Sequence, residues 1–261
     1  MHIYVVDNNI PAGRPCVPQS YFSDQTCVTL LEGHINGPCQ ARNLAITCMR
    51  PAEYVFFLDD DITVPFGYFE LAIDSFRKSG GDIITFNTYK ISNPVIASAR
   101  RLIIFLIFCG AISDPRGLVK KVAKCNVVSG GNFAIKGEIV SRILWDEGYL
   151  GYSFGEDVDY GVRASKILTI LYDPSVNLNH HSMLKNSNES DLLKRYFGLA
   201  YVLKKNFSFS SLMIINYGFV IFLKSLFLFR IKFAIKMVSY YIPWAVVVRN
   251  PKHILSRYLE I

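Results

Sequence analysis

Short apolar runs alternate with amphipathic stretches through residues 3–86. The runs are bounded by charged residues or glycine, which is typical of buried strands, and the stretches begin near proline, which is typical of helices. The predicted strands are 3–6, 26–31, 54–58 and 82–86, and the predicted helices are 38–50 and 65–79. This order predicts an α/β protein with a mostly parallel sheet and helices on both faces.

The pattern is less regular from residue 95 to residue 205. The apolar run Leu102 to Cys109 is too short to span a bilayer, which takes about 20 residues. It is either a buried helix or a hairpin that touches a membrane. The other predicted elements are strands at 125–128, 132–135 and 167–172, a loop rich in glycine and acid at 148–159, a short strand that ends at His180-His181, and a helix at 191–205.

The last part of the chain is apolar but interrupted by basic residues. Its longest charge-free stretch, Ser208 to Leu223, is shorter than the roughly 20 residues of a spanning helix. Basic side chains at short intervals on aromatic-rich helices predict helices that lie in a membrane interface. A helix pair packed on the main domain and a single tilted spanning helix are the alternatives. We therefore predict a main domain at 1–205 and a membrane-associated helical tail at 206–261.

The charge balance agrees with a membrane partner. The 261-residue chain has a formal net charge of +7, 51% hydrophobic residues and a mean hydropathy of +0.26. The basic residues cluster late, among apolar runs, which favours an anionic membrane surface over nucleic acid. The six cysteines include no CxxC pair and follow no signal peptide, which predicts reduced thiols in a cytosolic compartment.

Three adjacent acids, Asp59, Asp60 and Asp61, follow the predicted strand 54–58. The carboxyl ends of strands are where open α/β sheets bind ligands. Adjacent carboxylates repel one another, so a bound cation would explain the cluster, whereas a solvated acidic turn is the plainer interpretation. Oxygen ligands favour Mg²⁺ or Mn²⁺ over Zn²⁺.

The acids belong to an ordered set of motifs. The set comprises a strand that ends at Asp7, Gly37-Pro-Cys-Gln-Ala-Arg42-Asn43 at a helix start, Leu58-Asp-Asp-Asp61, Ser129-Gly-Gly-Asn132, Gly155-Glu-Asp157 and His180-His181. In this order it resembles the inverting family-2 glycosyltransferases of the GT-A fold, of the bacterial surface-polysaccharide type, over roughly residues 3–205. The family opens with one more strand-helix unit, so the chain is expected to be N-terminally incomplete.

The resemblance implies roles for the residues on the donor side. Asp59, Asp61 and His180 would hold the metal, with His181 as an alternative to His180. Asp59 or Asp60 would face the ribose of a nucleotide sugar, with UDP and dTDP as the expected nucleotides. Asp7 would bind the base or ribose, unless it only forms a turn, and Arg42 would help to hold the nucleotide, unless it only forms a helix ion pair.

The resemblance also implies an acceptor side. Asp157 would be the catalytic base, Glu156 would complete the acidic pair, and the Ser129-Gly130-Gly131 turn would shape the acceptor site. Asp159 is a weaker candidate for the base, and Asp146 and Glu147 are expected in a surface loop. Inversion requires a base that takes the proton of the acceptor hydroxyl as the anomeric carbon is attacked.

The expected activity is hexosyl or deoxyhexosyl transfer to a lipid-linked saccharide acceptor in surface-polysaccharide synthesis. The enzyme is expected to be peripheral, on the cytoplasmic side of the inner membrane, with no nucleic-acid partner. Two alternatives remain. The chain could be a non-catalytic, membrane-associated remnant of such a transferase. It could also be a haloacid-dehalogenase-type phosphatase, with Asp59 as the nucleophile.

Overall fold

The computed structural model describes residues 1–7, 27–33, 37–88, 104, 107–116, 118–149, 154–181, 188–227 and 230–259. The strands are β1 Ile3–Asp7, β2 Val28–Glu32, β3 Tyr54–Leu58, β4 Ile62–Thr63, β5 Ile83–Asn87, β6 Ala123–Lys124, β7 Asn132–Lys136, β8 Ile170–Asn177 and β9 Asn179–His180. They form one five-stranded sheet and two small two-stranded sheets.

The described helices lie between the strands and in the C-terminal part of the chain. They are α1 Pro38–Cys48, α2 Tyr68–Ser79, a 3₁₀ helix at Gly137–Arg142, α3 Glu156–Ala164, α4 Glu189–Asn206, α5 Ser210–Phe227, α6 Ile231–Lys236, a π-helical turn at Met237–Tyr241, α7 Ile242–Val247 and α8 Pro251–Leu259. Local signals fix several ends. Pro38 opens α1, Gly80 in the left-handed region (φ 71°) closes α2, and a capping box between Asn188 and Asp191 starts α4.

The main sheet has the strand order β3-β7-β5-β8-β6. Only β5 and β8 pair in parallel in this sheet, and the other three pairs are antiparallel. The α/β class is confirmed, but the sheet is mixed rather than mostly parallel. The reason is the turn before β7. It places Asn132 opposite Leu58, at the carboxyl end of β3, so β7 has to run back along β3.

The two small sheets are separate from the main sheet. β1 and β2 pair in parallel, with Asp7 opposite Glu32, and β1 packs against α1. β4 pairs antiparallel with β9, so that Ile62 lies opposite His180. The second pairing brings a late segment of the chain back to the turn that follows β3.

Two predicted elements differ from the structure. Residues 125–128 are not a strand, although Val127 and Val128 are buried in the core. The predicted loop at 148–159 gives way to a helix from Glu156, since the acidic residues of its first turn are favourable at a helix N-terminus. Gly155, with φ 97°, makes the left-handed step into this helix.

The C-terminal helices pack on the α/β part. Met213, Ile214, Phe233 and Met237 are buried in the same core cluster as Phe133 of β7. Ile107 and Phe108, at the end of the apolar run 102–109, are also buried in that cluster, which agrees with the buried interpretation for this pair of residues. The division of the chain at residues 205 and 206 remains a prediction.

Candidate functional site

The acid turn Asp59–Asp61 joins β3 to β4 at one end of the main sheet. The backbone N–H of His181 donates to the carbonyl oxygen of Asp61 (2.8 Å), and Nε2 of His181 lies 2.6 Å from Oγ1 of Thr63. The β4–β9 pairing therefore places the His180-His181 segment beside the acid turn, as a late ligand would require. The side chain of His180 lies outside what the structure describes.

Arg42 connects the three motifs of the site. From α1, its Nη2 donates to the carbonyl oxygen of Gly130 (3.1 Å) and lies 3.5 Å from Oδ1 of Asp59. Its Nη1 lies 3.7 Å from Oε1 of Glu156 and is buried without a hydrogen-bond partner in the described structure. The guanidinium group stacks on Trp145, 4.2 Å from the ring centroid. Arg42 thus lies between the acid turn, the glycine turn and α3.

The glycine turn fits closely against these side chains. A Cβ atom on Gly131 would collide with the carboxyl group of Asp59, and one on Gly130 would lie 3.2 Å from Arg42 and 3.4 Å from Cβ of Asp157. Ser129 anchors the turn, because its backbone N–H donates to Oγ1 of Thr85 on β5 (3.0 Å). Glycine at position 131 lets the carboxyl group of Asp59 pack on the backbone, and a larger residue would have to displace that group.

The first turn of α3 carries the acidic pair. Burial, and then the charge of Asp157, raise the pKa of Glu156 to about 7, and the charge of Arg42 opposes this shift. Asp157 accepts a hydrogen bond from the backbone N–H of Val158 (2.8 Å). A carboxyl group that titrates near neutral pH is suited to proton transfer, so the acidic pair could serve as a general acid or base.

The structure brings six of the predicted residues together: Arg42, Asp59, Gly130, Gly131, Glu156 and Asp157. Asp60 and Asp61 continue the same turn and are exposed. Asp7 is buried at the end of β1, on a strand that packs against the helix of Arg42, and its carbonyl oxygen accepts from Gly33. The roles that the resemblance implies for these residues remain predictions.

Asp159 is not available as a base. Its side chain is fully buried and accepts hydrogen bonds from Arg163 (2.8 Å), Lys205 (3.0 Å) and Asn206 (2.8 Å). The structure therefore excludes the weaker candidate and assigns Asp159 to the packing of α3.

Sequence reasoning missed the segment 145–149. Asn43, next to Arg42, donates to the carbonyl oxygen of Trp145 (3.0 Å) and accepts from its backbone N–H (2.9 Å). Asp146 and Glu147 lie in a loop, as expected, and Glu147 is exposed. Asp146, however, is half-buried and accepts from Tyr201 (2.7 Å) and Lys205 (2.6 Å). Neither contact has a local signal, because the partners lie far apart in the sequence.

The acid turn offers two carboxylates as ligands for a divalent cation. In the part of the chain that the structure describes, no three His, Cys, Asp or Glu side chains converge as a preformed cluster. Mg²⁺, however, is commonly held by one or two carboxylates and completed by substrate phosphates and water. Two carboxylates on one short turn, Asp59 and Asp61, match that donor set.

The family follows from the N-terminal part of the chain. Residues 1–144 match the model of glycosyl transferase family 2. The chain belongs to this family. The membership excludes the haloacid-dehalogenase alternative, and it covers β1 to β7 with Arg42, the acid turn and the glycine turn. A search of curated proteins found no significant match for this glycosyltransferase.

Solved structures show the same fold. The mannosyltransferase PcManGT from Pyrobaculum calidifontis, solved with GDP-Man and Mn²⁺, is 11% identical at a TM-score of 0.53, over 99% of this chain and 77% of that one. S. aureus TarS 1–349 is 12% identical at a TM-score of 0.50, over 98% and 78%. GalNAc-T7, with UDP, GalNAc and Mn²⁺, is 14% identical at 0.50, over 76% and 41%. The glycosyltransferase thus has the GT-A fold.

Proposed function

We propose that this glycosyltransferase moves a hexosyl or deoxyhexosyl group from a nucleotide sugar to a lipid-linked saccharide, with a divalent cation and with inversion at the anomeric carbon. The observation that supports it best is the junction at Arg42, where side chains of the acid turn and of α3 meet. The side chains of the acid turn would hold the cation that binds the donor diphosphate. The side chains of α3 would take the proton from the acceptor hydroxyl. One site thus offers both halves of a transfer reaction.

Asp59 and Asp61 would hold Mg²⁺ or Mn²⁺, together with His180 or His181. When bound, the ion neutralises the negative charge that develops on the leaving diphosphate. Similar structures contain Mn²⁺ with GDP-Man, or with UDP and GalNAc. Asp59 or Asp60 would bind the ribose, Asp7 the base or ribose, and Arg42 the nucleotide. UDP and dTDP sugars are our first candidates as donors.

Asp157 would take the proton from the acceptor hydroxyl. The hydroxyl oxygen attacks the anomeric carbon, and the bond from that carbon to the nucleoside diphosphate breaks on the opposite face. Ser129, Gly130, Gly131 and Glu156 would border the acceptor. Glu156 is a second candidate for the base, because its pKa of about 7 allows proton transfer near neutral pH.

A membrane-bound acceptor is supported by the C-terminal helices. Residues 207–259 contain no Asp or Glu but include Lys224, Arg230, Lys232 and Lys236. Helix α5 is long and apolar enough to cross a membrane, and 33% of it is buried inside the protein. Apolar side chains are exposed just before α5, along its outer side, on α6 and at the start of the π-helical turn. We call them the apolar face: Phe209, Leu212, Ile215, Phe219, Leu223, Leu226, Phe227, Ile231, Ile235 and Val238.

On α5 these positions recur every three or four residues from Leu212 to Leu226, with Phe227 beside the last, so they form one stripe. An exposed apolar stripe beside cations fits an anionic lipid leaflet, which covers the apolar side chains and neutralises the charges. Burial and the charges of Arg195 and Arg230 lower the pKa of Lys224, so an anion there would be favourable. We propose that the enzyme works on the cytoplasmic side of a bacterial inner membrane, as a peripheral protein of surface-polysaccharide synthesis.

The test is sugar transfer itself. The purified protein is incubated with a panel of UDP-, dTDP- and GDP-sugars labelled in the sugar, with and without Mn²⁺, and with lipid-linked saccharides from bacterial membranes. We expect Mn²⁺-dependent labelling of the lipid fraction that Asp157→Asn abolishes while donor binding is kept. A folded protein that binds no nucleotide and transfers no sugar would favour the non-catalytic remnant.

A further inference from the structure

Lys205 lies at the centre of a charge cluster behind the site. From the last turn of α4, its Nζ donates to Oδ2 of Asp146 (2.6 Å) and to Oδ2 of Asp159 (3.0 Å). Asp146 belongs to the segment 145–149, and Asp159 lies on α3. A single ammonium group therefore joins α4 to two segments that lie 46 and 59 residues earlier in the sequence.

Both carboxylates of the cluster accept several hydrogen bonds from within the protein. Asp159 is fully buried, and besides Lys205 it accepts from Arg163 and Asn206. Asp146 also accepts from Tyr201 and from the backbone N–H of Gly148. Burial alone would raise the pKa of Asp146, but the bonds from Lys205, Tyr201 and Gly148 lower it, as expected for a carboxylate kept ionised.

Asp159 and Asp146, the two carboxylates that bind Lys205, both lie near residues of the proposed site in the sequence. Asp159 lies on the same short helix as Glu156 and Asp157, two residues beyond the proposed base. Asp146 follows Trp145, on which Arg42 stacks. The start of α3 also lies against α4, because a Cβ atom on Gly198 would collide with the carbonyl oxygen of Phe154. The acidic pair and the support of Arg42 are thus fixed to one helix, α4.

We propose that Lys205 is a positioning residue for sugar transfer: it holds α3 and the segment 145–149 on α4, so that the acidic pair and Arg42 keep their places. The functional part of this inference rests on the proposed function. Lys205 touches neither donor nor acceptor in it, and acts through Asp146 and Asp159. A small displacement of catalytic groups can cost about a hundredfold in rate.

The test compares Lys205→Met with Lys204→Met. Lys204 is the matched control, because it precedes Lys205 on α4 and its Nζ donates instead to the carbonyl oxygen of Val246 (2.7 Å). Amide hydrogen exchange is measured without substrate. We expect Lys205→Met to speed exchange at 145–149 and 156–164 by roughly tenfold, while β3, β5 and β7 stay protected, and we expect no such change for Lys204→Met.

Activity provides the second readout. Lys205→Met should lower kcat by roughly ten- to a hundredfold, with an almost unchanged KM for the donor, and Lys205→Arg should recover most of the loss. If Lys205→Met fails to fold, Asp146→Asn replaces it, since that change leaves Asp159 all three partners. Unchanged exchange at both segments would overturn the proposal. If the wild type transfers no sugar, the proposed function fails, whereas the exchange experiment still decides whether Lys205 holds α3.

Discussion

Gly131 lies directly against the carboxyl group of Asp59, with no room for a Cβ atom between them. The contact joins the glycine turn to the acid turn, at the ends of two neighbouring antiparallel strands, β3 and β7. A side chain at position 131 would thus require a proposed metal ligand to move.

Gly131→Ala should therefore displace Asp59 and weaken metal-dependent nucleotide binding by about tenfold or more, with a loss of about 1–3 kcal/mol in stability from overpacking. Calorimetric titration with nucleotide and Mn²⁺ checks the binding, and thermal unfolding checks the stability. Gly81→Ala is the control, because its new methyl group would meet the flexible side chain of Leu171 instead. Equal nucleotide affinity in both variants would disprove a role for the Gly131–Asp59 contact.

Arg42→Lys should reduce kcat/KM by about a hundredfold. Lysine keeps the charge, but it cannot stack on Trp145 while facing Asp59 and Glu156 from two separate nitrogens. Steady-state kinetics on the wild type and the variant give the ratio. Arg77→Lys serves as the control, since Arg77 is an exposed partner of Asp74 on α2. Full activity of Arg42→Lys would show that sugar transfer does not need the ion pairs of Arg42 with Asp59 and Glu156.

Glu156 should make stability depend on pH. Its pKa rises from 4.5 in a free chain to about 7 in the folded protein, so between these values the folded state binds the proton more tightly. The stabilisation is fully present below about pH 4.5 and is lost as the pH rises through about 7. We expect the melting temperature of the wild type, relative to Glu156→Gln, to fall over this window. A difference that does not change with pH would show that folding leaves the pKa of Glu156 unchanged.

The apolar face can be tested without deleting helices that also fill the core. Phe219→Glu combined with Leu223→Glu should greatly weaken binding to vesicles that contain anionic lipid, since each buried apolar side chain contributes about 1.5–3 kcal/mol. Vesicle flotation gives the bound fraction. Phe66→Glu is the control, because Phe66 is exposed before α2. Unchanged flotation with a smaller solution mass would instead identify the face as a contact between copies of the chain.

Local sequence signals predicted much of the fold. Pro38, Gly80 and the apolar runs act over a few residues, and the helices and strands around them lie close to their predicted places. Pairing was less predictable. The sequence of β7 does not show that this strand lies between β3 and β5. Its position depends on where the glycine turn places the start of the strand.

The candidate site shows the same division. The motif residues Arg42, Asp59 and Glu156 could be selected by type and order, and the structure brings them together. Trp145 and Lys205 could not, because their significance lies in contacts across more than 40 residues of sequence. Buried ion pairs and stacked cations depend on tertiary packing. A single sequence contains no signal for that packing comparable to hydrophobic periodicity or a helix-capping residue.

The most direct test of the central claim is nucleotide binding at the acid turn. Affinities for UDP, dTDP and GDP are measured with and without Mn²⁺ on the wild type, on Asp61→Ala and on Asp74→Ala, a half-exposed acid on α2 that pairs with Arg77. We predict Mn²⁺-dependent binding of one nucleotide that Asp61→Ala weakens by roughly a hundredfold and Asp74→Ala leaves unchanged. Nucleotide binding that is independent of Mn²⁺ and unchanged by Asp61→Ala would contradict a metal-assisted donor site at Asp59–Asp61.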